Sequence, residues 1–260
     1  MGNDRDIVVP RPSASLVIAR NKPGEQGPTG MEIFVAVRNR ATVFASGALV
    51  FPGGALEAAD GHGVSDPLAA LRVTAIRETF EETGILFAQT VDGAWPDAER
   101  LDAIRGYRDT VARNENLFAN LLQRHGLRAV PEALTYFAHW VTPAERSKRF
   151  STRFFIAPAP HGQDGLHDGS ELVESFWRSP QQIVEYATTG EYFVMVPTEM
   201  NCRRLSSYVC VEDAVADFED HPEGLISQRY VTENGRKYLS IPARAGIGDI
   251  RRVAKSSLDE

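Results

Sequence analysis

Apolar residues near the start of the chain fall in short runs. Ser13 to Arg20 (SASLVIAR) and Met31 to Arg38 (MEIFVAVR) are rich in Val, Ile and Phe and predict two strands. Lys22 to Gly30 between them holds the Gly and Pro of a loop, so the strands are expected to pair antiparallel. Gly47 to Phe51 predicts a third strand, stopped by Pro52-Gly53-Gly54. Residues 1–12 are polar, carry Pro10 and Pro12, and read as an entry arm.

From Pro67 to Thr83 the period changes to that of a helix, with no internal Gly or Pro. Ser65 or Asp66 can cap its start, Pro67 suits the first turn, and Gly84 fits the position just past its end. A charged stretch from Asp97 to His125 predicts a second helical region, stopped by Gly126. Strands are expected at Leu134–Val141, Arg153–Ala157 and Leu172–Trp177, and a helix at Pro180–Thr188. Asn234-Gly235, inside Tyr230 to Ile241, predicts a hairpin, and the last dozen residues read as a charged tail. Strands and helices mix without regular βαβ alternation, so the fold class is α+β with a mixed sheet. With no Pro/Gly/Ser-rich linker, residues 1–260 are expected to form one domain. Its core spans about 13–190, with a helical insertion at about 97–126 and an extension at about 191–260.

Composition narrows the function classes. The chain has 260 residues, 43% hydrophobic and 24% charged, in the ordinary globular range. Its formal charge of −7 argues against a nucleic-acid polymer as the main partner. Two cysteines, Cys202 and Cys210, form no disulfide framework and no zinc pattern, which points to a reducing, cytoplasmic setting. No apolar run spans a bilayer, the first residues lack a secretory pattern, and the terminal Ser-Leu-Asp-Glu is not a peroxisomal signal.

The chemistry concentrates on the Pro67–Thr83 helix. At about 100° per residue, Ala69, Val73, Ile76 and Phe80 share one side, and Glu78, Glu81 and Glu82 converge on the opposite side. Like charges at that spacing repel, and the C-terminal end of a helix dipole disfavours them further. Such a cluster needs a positive neighbour, unless it is simply a solvated acidic face. Three oxygen donors on one rigid element suit a hard cation such as Mg²⁺ or Mn²⁺. Gly53-Gly54 can bring a backbone carbonyl close to them, and Arg77 can fix one carboxylate.

Gly54-x5-Asp60, followed by Arg77-Glu78-Thr79-Phe80-Glu81-Glu82-Thr83-Gly84-Ile85, closely resembles the Nudix box of hydrolases that cleave nucleoside-diphosphate linkages. Asp60 stands where that box has Glu, and Thr79 replaces an aliphatic residue. Sixteen residues separate Asp60 from Arg77 where the box has seven. FPGGALEAAD at 51–60, HWVTP at 139–143, RFSTRFF at 149–155 and ELVESFWRSP at 171–180 are similar to the branch that includes peroxisomal coenzyme A diphosphatases.

The resemblance implies an α/β/α sandwich and metal-dependent attack of water on a diphosphate. It implies Glu78, Glu81, Glu82 and the Gly54 carbonyl as metal ligands, Glu81 as a further ligand or base, and Arg77 as orienting a box glutamate. Relatives recruit another late acidic residue, for which Glu171 and Glu174 are the candidates, or else solvated strand residues. Arg149 and Arg153 are candidates for a substrate-phosphate clamp, or else a basic edge strand. The substrate expected is a small nucleoside-diphosphate compound, CoA or acyl-CoA first. NADH, ADP-ribose and diadenosine polyphosphates are alternatives, as is a non-catalytic nucleotide-binding regulator. A homodimer is conceivable through the hairpin or the insertion.

Overall fold

The computed structural model describes residues 7–24, 27, 29–41, 45–242 and, for the backbone alone, 250–253. The first two strands, β1 (Arg11–Asn21) and β2 (Met31–Arg38), pair antiparallel as their shared loop requires. The short strands β3 (Ala48–Val50) and β4 (Gly53–Ala55) follow, separated at Phe51-Pro52. Helix α1 (Pro67–Thr83) has the predicted ends. Asp66 accepts from the Leu68 N–H, Pro67 occupies the first turn, and Gly84 closes the helix in a left-handed conformation at φ 70°.

The predicted helical region after it is three short helices, α2 (Ala98–Arg105), α3 (Arg108–Arg113) and α4 (Leu117–Arg124). A two-stranded ribbon, β5 (Ala88–Thr90) with β6 (Leu127–Ala129), ties the two ends of this insertion together. Strands β7 (Thr135–Val141), β8 (Phe150–Pro158) and β9 (Leu172–Arg178) and helix α5 (Pro180–Thr189) lie close to their predicted positions.

Beyond residue 191 the chain is more regular than its pattern predicts. It adds β10 (Phe193–Val194), α6 (Val196–Leu205), α7 (Val211–Asp220) and β11 (Leu225–Ser227). The hairpin forms at Asn234-Gly235, both at positive φ, between β12 (Arg229–Glu233) and β13 (Arg236–Ile241). Part of the expected tail is a third strand there, β14 (Ile250–Val253), paired with β13; residues 254–260 lie outside the described residues.

Nine strands share one mixed sheet, ordered β10-β3-β2-β1-β8-β7-β11, with β4 also on β1 and β9 also on β2. β1 pairs parallel with β8 over nine positions, from Arg11 opposite Phe150 to Ala19 opposite Pro158. Both faces of this sheet are covered. On one face Leu16, Ile18 and Phe34 pack against Leu71, Ile76 and Phe80 of α1 and against Phe118, Leu121 and Leu122 of α4. On the other, Val17, Ile33 and Val35 pack against Ile183 of α5, Met200 and Leu205 of α6, and Phe218 of α7. This is an α+β fold of the α/β/α sandwich type.

One expectation about α1 is corrected. The stripe Ala69, Val73, Ile76, Phe80 does not mark the single buried side, because Ala69 and Val73 are only half-buried. The helix lies under the insertion as well as on the sheet, so Ala70, Leu71, Thr74 and Ala75 are buried too, and its last two turns are enclosed almost all round. The glutamates are therefore not on a solvated face.

Phe80 is fully buried and its ring meets Phe118 of α4 with centroids 5.8 Å apart. Phe80→Ala is expected to cost about 3–5 kcal/mol. Urea denaturation measures it, and a loss below about 1 kcal/mol would show that the insertion is not anchored through this ring.

Candidate active site

The centre of the site is the Arg77 side chain, 3% exposed. Its Nε and Nη2 donate to Oδ1 and Oδ2 of Asp60, itself 3% exposed, at 2.8 and 3.0 Å. Nη2 also donates to the Ala55 carbonyl at 3.3 Å. Asp60 accepts further from Thr74 Oγ1 at 2.9 Å and the Glu57 N–H at 3.0 Å, in a single turn of 3₁₀ helix over Ala58–Gly61. Arg77 Nη1 faces Glu78 Oε1 and Glu81 Oε1, both at 3.0 Å. Burial opposes the Arg77 charge, but the hydrogen bond to Asp60 and the charges of Glu78, Asp60 and Glu81 outweigh it and raise its pKa.

The three glutamates of α1 share this neighbourhood. Glu82, 3% exposed, accepts from the Gly53 N–H at 2.9 Å. Glu78 lies against Gly54, where a Cβ would stand 2.4 Å from its carboxyl carbon. Gly53 has φ 153°, and a Cβ there would meet the Ala14 carbonyl oxygen at 2.3 Å. The first glycine thus serves the backbone path and the second makes room for a carboxylate. Burial, reinforced by Glu81 and Glu171 and opposed by Arg77, pushes Glu78 up to about 7. Burial also raises Glu81, and burial with the charges of Glu78 and Glu171 holds Glu82 well above the usual carboxylate range.

Of the two later acidic candidates, the structure brings in Glu171 and leaves out Glu174. Glu171, just before β9, is ion-paired with Arg38 at the end of β2, and its charge acts on Glu78, Glu81 and Glu82. Glu174 is exposed and accepts from the Tyr192 hydroxyl at 3.1 Å. Arg149 and Arg153 are placed differently. Arg149 Nε donates to the Thr142 carbonyl and its Nη1 to the Val8 carbonyl, at 3.1 and 2.6 Å, so it fastens backbone segments. Arg153 is half-buried on β8, with Nη1 3.3 Å from Ser151 Oγ.

Several residues around the site carry no local sequence signal. Arg38 acts on Glu82 as well as pairing with Glu171. Arg108 of α3 donates from Nε and Nη2 to the Glu81 carbonyl at 3.2 and 3.1 Å, and Arg105 Nε donates to the Gly84 carbonyl at 3.1 Å. These two cations sit where the α1 dipole is negative. Asp168 accepts from the N–H groups of Ser170, Glu171 and Leu172 at 3.0, 2.8 and 2.8 Å, fixing the loop that carries Glu171. Only their placement by distant strands and helices reveals these roles.

Comparison with known proteins agrees with the architecture and the box. The NUDT19 Nudix domain model matches residues 61–205. The acyl-coenzyme A diphosphatase NUDT19 of Gallus gallus is 28% identical over 268 residues, covering 78% of this chain and 70% of that protein. The acyl-coenzyme A diphosphatase NUDT19 of Xenopus laevis is 25% identical over 246 residues, covering 74% of this chain and 64% of that protein. A NUDIX hydrolase from Alicyclobacillus acidocaldarius superposes with a TM-score of 0.70 at 25% identity, over 81% of this chain and 97% of the other. The family model covers more than half of the chain, and with the Arg77-centred box in place the protein belongs to the NUDT19 Nudix domain family of hydrolases.

Proposed function

We propose that the chain hydrolyses the diphosphate linkage of CoA or an acyl-CoA, in the presence of Mg²⁺ or Mn²⁺, from the α1 site. The observation that carries this reading is the surplus of buried negative charge there. Asp60, Glu78 and Glu81 face one buried guanidinium, Glu82 is buried beside them on the Gly53 N–H, and the carboxyl groups of α1 are all raised in pKa. Such a set is self-repelling until a cation joins it. The donor set fits a hard divalent ion: carboxylate oxygens from one helix, with the Gly54 carbonyl on the strand below, and a gap that a Cβ at Gly54 would fill. Among the described residues no group of three His, Cys, Asp or Glu stands at ion-binding spacing. In the arrangement observed, Glu78 is turned to Arg77 and Glu82 to the Gly53 N–H.

The chemistry supplied by such an ion, when bound, is charge neutralisation on the diphosphate and acidification of the attacking water. Glu78, Glu82 and the Gly54 carbonyl would hold it. Glu81, whose Oε1 is fixed by Arg77 Nη1, offers its other oxygen to hold the proton released by water. Glu171 is the alternative acceptor, carried by the loop that Asp168 stiffens. Arg77 positions Glu78 and Glu81 and takes no part in proton transfer. The CoA preference is supported by the likeness to the acyl-coenzyme A diphosphatases of Gallus gallus and Xenopus laevis and by the segments shared with that branch. No helix among the described residues is long and apolar enough to cross a bilayer.

Three outcomes are expected. On a panel of CoA, acyl-CoA, NADH, ADP-ribose and diadenosine tetraphosphate with Mg²⁺ or Mn²⁺, kcat/KM should be highest for CoA compounds. A tenfold advantage for the dinucleotides overturns the CoA reading, and no turnover at all leaves a nucleotide-binding regulator. Glu82→Gln should lower kcat by at least about a hundredfold with the fold intact, since substitutions even one shell out from a metal cost 10- to 100-fold. Near-normal turnover removes Glu82 from the ligand set.

The third is a pH effect without substrate. The native pKa of Glu78 and Glu82 lies above the unfolded value, so the folded state binds more protons between about pH 4.5 and 7. Metal-free protein should therefore lose stability as pH rises through that window. Mn²⁺ should restore it, and Glu82→Gln should flatten both responses. Thermal melts from pH 5 to 8 test this, and a melting temperature indifferent to pH and Mn²⁺ contradicts it.

A further inference from the structure

The sheet aligns a second polar group with the carboxylate site. Gly54 of β4 is paired with Ala14 of β1, Ala14 with Arg153 of β8, and Arg153 with His139 of β7. Residues directly opposite one another on adjacent strands project from the same face. Ala14 belongs to the core on the α1 face, as does Phe155 two residues beyond Arg153. Arg153, Ser151 and His139 therefore stand on the face that carries α1. Strands lie about 4.8 Å apart, so the Arg153 backbone is about 10 Å from Gly54, against which the Glu78 carboxylate rests.

This group is assembled for a negative ligand. His139 Nε2 and Ser151 Oγ lie 2.8 Å apart, and Arg153 Nη1 donates to that same Oγ at 3.3 Å. Burial and the Arg153 charge depress the His139 pKa to about 4, so at neutral pH the imidazole is uncharged and Arg153 is the cation of the group. Of the five N–H donors of Arg153, the described residues engage only one, on Nη1, and no carboxylate pairs with it. Tyr136, on the same face of β7, donates its hydroxyl to the Glu223 carbonyl at 2.8 Å. A half-buried guanidinium on the catalytic face, with its fork open and no counter-ion, calls for an anion from outside.

We propose that Arg153, supported by Ser151 and His139, binds a phosphomonoester that the substrate carries apart from its scissile diphosphate. The separation from the carboxylate site suits a ribose bearing phosphate at one end and the diphosphate at the other, which is the layout of CoA and not of dephospho-CoA. The inference rests on the proposed diphosphohydrolase reading and deepens it. It makes Arg153 a specificity residue, and it replaces the paired clamp of Arg149 with Arg153 by a single arginine.

Binding of two inert probes tests it without hydrolysis. Adenosine 3′,5′-bisphosphate and adenosine 5′-monophosphate are titrated calorimetrically into the full chain with Mg²⁺ present. The bisphosphate should bind about 10- to 100-fold more tightly. Arg153→Gln should abolish most of that advantage while leaving the monophosphate within about twofold. Arg153→Lys, which keeps the charge without the fork, should fall between, and it decides the matter if the glutamine variant does not fold. Equal binding of the two probes to the unaltered protein, or equal weakening of both by Arg153→Gln, overturns the proposal.

Turnover of CoA and dephospho-CoA separates this inference from the one beneath it. CoA turnover with no bisphosphate preference removes the Arg153 site and leaves the diphosphohydrolase. A bisphosphate preference that depends on Arg153, without CoA turnover, does the reverse.

Discussion

The pairing of Arg77 with Asp60 is the interaction on which the site depends. Two nitrogens of one fork meet two oxygens of one carboxylate, with both side chains almost wholly buried. That geometry leaves Nη1 aimed at Glu78 and Glu81, so a single cation orders two further carboxylates. A buried pair of this kind adds little net stability, but removing one partner strands the other charge, at about 3–5 kcal/mol. The pair also joins α1 to the turn at Ala58–Gly61. It explains how a box with nine extra residues keeps its shape: the extra chain is taken up by the loop from Gly61 to Asp66 and by the first turn of α1, outside the bonded set. Asp in place of Glu still reaches the guanidinium, because the short turn carries Asp60 into the core.

The two faces of the sheet divide the labour. On the α5–α7 face, alternate residues of β1, β2 and β8 are apolar and bury a core, with Trp140 held by Asn201 rather than open to a ligand. The α1 face is apolar at its centre and polar toward the N-terminal ends of β1 and β8, where Gly54, Ala14, Arg153 and His139 lie in a row. Because side chains alternate with period two, a one-residue slip of β8 against β1 would turn Arg153 into the opposite core. The nine-position parallel register is thus a constraint on chemistry as well as on packing.

Features set by neighbours in the chain were legible in the sequence. The ends of α1, the Asn234-Gly235 hairpin and the most apolar strands depend on capping, turn and periodicity rules that act over a few residues. The glutamate trio was legible for the same reason, being a spacing on one helix. What escaped was set by contacts between distant segments. The burial of α1 on two sides arises from an insertion that folds back over it, so a one-stripe wheel misplaced Ala69 and Val73. Arg38, Arg105, Arg108 and Asp168 reach the site from four separate segments. Arg149 and Arg153 looked alike as basic residues of one segment, yet the end of β8 sends one to backbone carbonyls and the other to the face that carries α1. Helices α6 and α7 are short and carry weak local stop signals, so their pattern did not stand out.

The parallel union of β1 and β8 has a consequence for the order of assembly. β1 is the hub of the sheet, bonded to β2, β4 and β8, yet Ser13 meets Thr152 across 139 residues of chain. Closing so long a loop comes late, because its entropy is lost before the ladder forms. During synthesis the apolar run Leu16–Ala19 emerges well before β8 and can pair early only with β2 and β4. One edge of this central strand stays open until residue 158 has been made. The nascent chain therefore passes through a stage in which its future centre is an unprotected strand edge, and protection from self-association falls to whatever binds that edge in the interval.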